Sequence, residues 1–275
     1  MKDSGAKGVY KTTKKDGSVY YRVSVTHKDK HISLGSFENL EDAGYAYMEA
    51  KEILEDTDIT VNKIILYGEF YYLSFDKRIS LLNFRDNGIY IANPIYIKNK
   101  MFYYYLTADD ILKFDADELF FYSSHKIQKR GGHLFVSDFG KQISIASRYG
   151  IKPHAVFGRD YIFKNGDIYD FRISNIEILN TYNGVSSVID RRRSKYKAVI
   201  NVKGNFTIGH YNTALEAAVA YNKAVDELKQ VGYPVTYIKN EFTSKERESV
   251  KKFYDKIIVP KKIILKAEKL MGATE

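Results

Sequence analysis

Side chains able to do covalent or metal chemistry are sparse in this chain. Its 275 residues include no cysteine, which excludes a thiol nucleophile, a thiolate zinc finger and a disulfide scaffold. One segment to weigh is RDYIFKNGDIYDFRISNIEILN, residues 159–180, with Asn165, Gly166, Asp170, Arg172 and Asn175 closely spaced. These types suit local structure better than catalysis. Asn165-Gly166 makes a turn, Asp170 and Arg172 are spaced to pair or cap, and Asn175 is placed to cap a following helix. Asp170 alone is not a magnesium site, so no metal and no cofactor is expected. His133 and His154 stand alone, and a lone histidine is more often a hydrogen-bonded surface or core residue than a base. The second kind of chemistry is recognition. Arg22, Ser24, His31 and Ser33 near the N-terminus, and Lys195, Lys197, Asn201 and Thr207 further on, alternate with apolar residues and so share the outer face of strands. Lys14-Lys15 and Arg191-Arg192-Arg193 add cations in the adjoining loops.

The elements that carry them follow from pattern and charge. Residues 1–35 hold eight Lys/Arg against three acids, a net +5, whereas residues 36–58 hold one Lys against eight acids, a net −7. Tyr20 to Thr26 alternates, with Tyr21, Val23 and Val25 on one face and Tyr20, Arg22, Ser24 and Thr26 on the other. His31 to Leu34 alternates likewise, and His27-Lys28-Asp29-Lys30 links the two as a hairpin. Gly35 is expected to break the second strand. Asn39-Leu40-Glu41-Asp42 opens a helix with Ala43, Ala46, Tyr47 and Ala50 on one face. The unit is a small basic sheet backed by an acidic helix.

The unit recurs. Residues 184–228 match residues 8–54: Gly8 with Gly184, Tyr21 with Tyr196, Gly35 with Gly209, Phe37 with Tyr211, and Ala46-Tyr47 with Ala220-Tyr221. The basic strands recur too, residues 183–209 having six Lys/Arg against one Asp, a net +5. This pattern resembles the Apetala-two/ethylene-response-factor DNA-binding domain, with tyrosine at the usual tryptophan positions (Tyr21, Tyr196) and Gly44 where alanine is expected. The resemblance implies a three-stranded sheet lying in the major groove of double-stranded DNA with the helix packed behind it. Arg and Asn can then read guanine and adenine, while Lys, Ser and Thr serve phosphates.

Between the repeats, the aromatic and β-branched runs Ile64 to Phe75, Ile89 to Ile97 and Lys100 to Thr107 are read as strands, separated by Asp86-Asn87-Gly88 and Lys98-Asn99. Thr107-Ala108-Asp109-Asp110 is read as a helix start carrying Ile111, Leu112 and Phe114. His133 to Val136 and Gln142 to Ala146 form another hairpin beyond Gly131-Gly132. The segment at 159–180 resembles the HNH homing endonucleases often joined to Apetala-two-like domains in bacteria and phages: Asn165, Gly166, Asp170, Arg172, Asn175 and Ile176 keep the family spacing, and Leu106 to Asp110 resembles its upstream element. The resemblance places the catalytic acid and histidine at Ile162 and Phe163, the Asn after the second Asp at Phe171, and the upstream Leu-His-Arg at Ala146-Ser147-Arg148. Such nucleases need a histidine to deprotonate water and a ligand set for a divalent cation. Phe163 supplies neither, so the expectation is a nuclease fold without catalysis, Asn165, Gly166, Asp170, Arg172 and Asn175 being its vestige.

Near the C-terminus, Thr243 with Glu246 forms a capping box for a basic helix bearing Val250, Phe253, Tyr254, Ile257 and Ile258, whose apolar stripe is expected to pack on the core rather than to form a dimer contact. The net charge of +9 is thus concentrated on two sheet faces. With 44% apolar residues the chain should fold, and with no signal-peptide core and no long apolar run a cytoplasmic protein is expected, in a bacterial or phage-infected cell. The expected fold is α+β: residues 1–60 and 181–240 as three-stranded-sheet-plus-helix domains flanking a central HNH-like, ββα-containing domain at 61–180, with a basic helical extension at 241–275. The expected function is a sequence-specific double-stranded DNA-binding regulator or repressor of homing-endonuclease descent. The alternatives are an active nicking endonuclease and a protein-binding inhibitor whose basic faces meet an acidic protein partner. A homodimer is compatible with any of these.

Overall fold

The computed structural model describes residues 2–3, 5–67, 72–152, 155–190, 193–234 and 236–272. Two compact units emerge, one of residues 1–150 and 163–176, the other of residues 151–162 and 177–275. The architecture is α+β, with several small antiparallel sheets.

In the first unit, β1 (Lys2–Asp3), β2 (Val9–Thr13), β3 (Val19–His27) and β4 (Lys30–Phe37) form one sheet in that order, four strands rather than the expected three. Lys28 and Asp29 turn the β3–β4 hairpin with φ of 45° and 60°, the left-handed pair that matches strand twist. Gly35 does not end β4. Val23 lies opposite Gly35 and Ser24 opposite Ser33, so Leu34 is an extra residue, a β-bulge that lets Ile32, Leu34 and Phe37 all serve the inner side. Helix α1 (Leu40–Glu55) covers that side, started by Asn39, whose side chain accepts from the Asp42 N–H at 2.7 Å. Its buried Ala43, Ala46 and Ala50 let it lie close on Val23, Val25 and Ile32.

The next stretch departs from the sequence reading. Residues expected as a strand from Ile64 contribute α2 (Val61–Tyr67) and the start of α3 (Phe75–Asn87). Ser74 caps α3 by accepting from Lys77 N–H, and Gly88 closes it at φ +71°. Ile79, Leu81, Leu82 and Phe84 of α3 join the core of the first repeat, and Arg85 donates to the Ile53 carbonyl in the last turn of α1 and to the Ile59 carbonyl beyond that helix. β5 (Ile95–Lys98), β6 (Met101–Tyr105) and β7 (Ile111–Asp115) form a second antiparallel sheet. The expected helix at Thr107 is absent. Thr107 Oγ1 accepts from Asp110 N–H at 3.0 Å in a turn, and Leu112 and Phe114 alternate inward as strand residues. A short helix, α4 (Leu119–Ser124), precedes the sheet of β8 (Ile127–Arg130), β9 (His133–Asp138) and β10 (Lys141–Ser144), close to the expected hairpin. β11 (Tyr161–Phe163) and β12 (Ile176–Ile178) make a two-stranded sheet. Asn175 therefore precedes a strand, not the helix it was expected to cap.

The second unit repeats the first design. β13 (Val185–Asp190), β14 (Arg193–Asn201) and β15 (Asn205–Tyr211) form a three-stranded antiparallel sheet over α5 (Ala214–Gln230), capped by Thr213. The bulge recurs: Ala198 faces Gly209 and Val199 faces Thr207, leaving Ile208 extra. The matched glycines recur for a physical reason. Gly8 (φ +74°) and Gly184 (φ +71°) each press against a helix tyrosine ring, Tyr47 or Tyr221, and against the Ser24 or Val199 carbonyl, where any Cβ would lie 2.6 Å away. Each accepts a hydrogen bond from that same residue, at 2.9 Å from Ser24 and 2.7 Å from Val199.

The C-terminal region holds two helices, α6 (Arg247–Lys256) and α7 (Lys261–Gly272), parted by Pro260. The Glu246 carboxylate accepts from Thr243 N–H at 2.8 Å, but the Thr243 hydroxyl donates to the same carboxylate instead of capping, so α6 starts after Glu246. Ile257, Ile263 and Ala267 are buried in the core of the second repeat, with Val250, Phe253 and Tyr254 packed against it, whereas Ile258 is exposed. Asn222 and Asn240 exchange hydrogen bonds, both at 2.8 Å, binding the connection after α5 to that helix.

Candidate nucleic-acid interface

The two sheets present equivalent outer faces. On the central strand β3, Arg22 lies between Tyr10 of β2 and Ser36 of β4; on β14, Lys197 lies between Ser186 of β13 and His210 of β15. Arg22 is exposed and Lys197 half-buried. Among the described residues, neither side chain has an ion-pair or hydrogen-bond partner. Both cations therefore point at solvent from the middle of a sheet whose other face packs on a helix.

Beyond the bulge the faces continue through Thr26 and His31 in the first repeat, with Thr26 Oγ1 3.4 Å from His31 Nδ1, and through Asn201 and Asn205 in the second, where the Asn201 amide donates to Asn205 at 2.9 Å. Ser33, Thr26 and His31 are exposed, as are Asn201 and Asn205, and Thr207 is half-buried. Ser24 is a correction. Alternation puts it on the outer face, but it is 9% exposed, a small side chain on the central strand held between Ser33 and the Gly8 carbonyl. Lys14 and Lys15 are exposed in the β2–β3 turn, with Lys14 5.9 Å from the centre of the Tyr20 ring. Lys195 is half-buried opposite Val188. Arg191 and Arg192 lie outside the described residues, and Arg193 opens β14 opposite Asp190.

The flanking residues Tyr10, Ser36, Ser186 and His210 escape a reading of single strands. Only the pairing of three strands brings them beside Arg22 and Lys197; the signal available was the Gly8–Gly184 match, which fixes where each first strand begins.

Behind the first sheet, α1 carries Glu41, Asp42, Glu49, Glu52 and Glu55. Glu49 is buried and accepts from the Tyr72 and Leu73 N–H groups at 2.9 and 3.0 Å, with Arg78 3.9 Å away. Burial pushes its carboxyl up, more than these donors and the guanidinium pull it down.

The segment around Asp170 forms a closed network within the first unit. Asp170, 0% exposed, accepts from Arg172 Nε at 2.8 Å and from the Asn165 amide at 2.8 Å. Asn175 donates to the Asp170 carbonyl at 2.9 Å while accepting from Asn165 N–H at 2.9 Å, in place of the expected helix cap. Gly166 takes the turn at φ +78°. Burial raises the Asp170 carboxyl, but the Arg172 guanidinium, the Arg172 N–H and the Asn165 amide outweigh it and hold it below the usual carboxylate range.

The positions that the HNH resemblance assigns to catalysis are filled by hydrocarbon. Phe163 and Phe171 are buried with ring centres 5.5 Å apart, and Phe171 stacks in turn on Phe114 at 5.8 Å and meets Tyr149 at 5.5 Å. Ile162 is half-buried in β11. Ser147 donates to the Ser144 carbonyl at 2.6 Å, and the Arg148 guanidinium sits 3.7 Å from the Phe121 ring centre and pairs with Glu118. His133 is exposed opposite Arg130, and His154 lies outside the described residues. Among the described residues, no group of three or more His, Asp or Glu side chains is placed to hold a metal ion, and no helix is long and apolar enough to cross a membrane.

No family model, curated protein or solved structure matches the chain. Any function therefore has to be argued from the faces themselves.

Proposed function

We propose that the chain binds double-stranded DNA sequence-specifically through its two repeated sheet faces, and that it acts as a regulator or repressor of homing-endonuclease descent. One observation carries the reading: Arg22 and Lys197, equivalent by strand register, are unpaired cations at the centre of outward faces, flanked by hydrogen-bonding side chains. A twisted antiparallel ribbon fits the major groove. There the Arg22 fork suits guanine O6 and N7, Lys197 suits a phosphate, and Asn201 suits adenine. Two such faces in one chain raise avidity when both sites lie on one duplex. The resemblance of both repeats to Apetala-two domains supports the same reading. The aromatic packing at Phe163 and Phe171 supports a role without hydrolysis, since neither a base nor a cation can act from those positions.

Selection of bound fragments from random and genomic DNA tests binding and supplies the site. Affinity for the selected duplex should fall steeply with salt; Lys197→Ala should flatten the log–log slope by about 0.9, the contribution of one phosphate-neutralising cation, and Arg22→Ala should cost about 1–3 kcal/mol and relax discrimination at the base it reads. Affinity indifferent to salt would sink the proposal.

A further inference from the structure

The sheet of β8, β9 and β10 has an outer face that neither repeat accounts for. Strand pairing puts Gln128, Arg130, His133, Ser137, Gln142 and Ser144 on one side, all exposed around the buried Phe135, while Ile127, Val136 and Ile143 turn the other way. In the same region Lys126, Lys129 and Arg148 are tied to Asp76, Asp110 and Glu118. Among the described residues, Gln128, Arg130, His133, Lys141 and Gln142 have no side-chain partner. Asp138, the acid nearest the turn, faces His125 at 3.7 Å.

The β9–β10 turn is stranger. Its first residue is Phe139, 99% exposed and held at φ +45°, followed by Gly140 at φ +77°. Of the non-glycine residues with positive φ among those described, Lys28, Asp29, Asn99, Lys100 and Lys203 are polar and Phe139 alone is apolar. Asn, Asp or Gly suits such a position. A phenylalanine there costs conformational energy and recovers none by packing on the described residues.

We infer that this sheet is a third duplex-DNA contact, in which Arg130, Gln128 and Gln142 meet base edges or phosphates and the Phe139 ring wedges between stacked base pairs. Guanidinium and amide side chains are the forks that read guanine and adenine, and the free cation Arg130 also complements phosphate. An apolar side chain at the tip of a basic ribbon is the kind of group that unstacks a base step and bends the duplex. This rests on the DNA-binding reading above and extends it to a part of the chain outside both repeats.

The chain has no tryptophan, so Phe139→Trp places a single reporter at the tip, and Phe120→Trp, on exposed α4, serves as control. The full-length variants are titrated with a fluorescein-labelled duplex of mixed sequence, following both anisotropy and indole emission. The expected result is quenching in Phe139→Trp in step with anisotropy, with no change in Phe120→Trp. Phe139→Ala and Phe139→Asn should weaken binding about five- to a hundredfold, the range for a lost base–aromatic stack. Phe139→Asn suits the turn better than the native residue, so its loss of affinity cannot come from misfolding. Duplex binding that remains sensitive to Arg22→Ala, with silent indole emission in Phe139→Trp and native affinity in Phe139→Asn, overturns the wedge and leaves the two sheet faces standing. Absence of duplex binding by the native chain overturns both. Indole emission of Phe139→Trp that responds to anionic lipid vesicles and not to duplex assigns the tip to a membrane surface and overturns the inference.

Discussion

Replacing Gly184 by alanine should loosen the second repeat far more than replacing Gly232, although both glycines lie in the second unit at nearly the same left-handed φ, +71° and +81°. At Gly232 a Cβ meets nothing within 4 Å, so the cost is that of the backbone conformation, about 1–2 kcal/mol. At Gly184 the same cost applies, and the new methyl also meets the Tyr221 ring and, at 2.6 Å, the Val199 carbonyl oxygen. The ring can swing, but the carbonyl belongs to the central strand. Moving it stretches the 2.7 Å hydrogen bond from Val199 N–H to Gly184, worth about 0.5–1.5 kcal/mol, and overpacking adds about 1–3 kcal/mol. The total is about 3–6 kcal/mol, or about 2–4 more than for Gly232→Ala. Two separate cores make a single unfolding transition a poor measure. Amide exchange of β13–β15 peptides by mass spectrometry reports the second unit alone, and Gly184→Ala should exchange about 30- to 1000-fold faster than Gly232→Ala. Equal exchange in the two variants would refute the reasoning, and with it the physical account of why the repeats share this glycine.

Three further outcomes follow from buried groups in the first unit. Because the folded state raises the Glu49 carboxyl above its ordinary 4.5, its favourable contribution is full below that value and is lost as pH rises through the folded value; exchange of α1 and α3 in Glu49→Gln should therefore overtake the native chain in protection as pH climbs from 4 towards 7. Asp170 has the opposite sign: its carboxyl is held below 3.8, so its contribution is present at neutral pH and lost on acidification. Asp170→Asn should cost about 2–3 kcal/mol at pH 7, less than a fully buried pair because Arg172 is about one-third exposed. Phe163→His should yield no nicking of supercoiled plasmid with magnesium, because no ligand set surrounds it among the described residues, and should destabilise the aromatic cluster by about 2–3 kcal/mol, read from faster amide exchange of β6 and β7.

Much of the fold was legible where one local signal acted alone. Alternation located β3 and β4, and Asn39 and the alanine spacing located α1. α3 was missed because the aromatic and β-branched residues before it read as strand, although Ser74 and Gly88, its start and stop, were both visible in the sequence. Thr107 failed in the opposite way: its hydroxyl makes a turn, and Leu112 and Phe114 obey a period of two. The bulges at Leu34 and Ile208 have no signature in one strand, because an extra residue exists only relative to a partner. The same limit governs the candidate interface. Arg22, Lys197 and Asn201 follow from parity, whereas Ser24 is closed off and Tyr10, Ser36, Ser186 and His210 are gathered by pairing across strands. At Asp170, the sequence suggested the ion pair with Arg172, but not that Asn175 would turn back to tie the loop shut.

The two copies of the sheet-and-helix unit have come to lean on different supports. The first shares its core with Ile79, Leu81, Leu82 and Phe84 of α3, and the second with Ile257, Ile263 and Ala267 from the far end of the chain. Neither copy is therefore a portable cassette. A fragment trimmed to the boundaries of the repeat would expose an oily flank of its own core, and a graft of the second repeat onto another protein has to carry the tail through α7 to arrive folded.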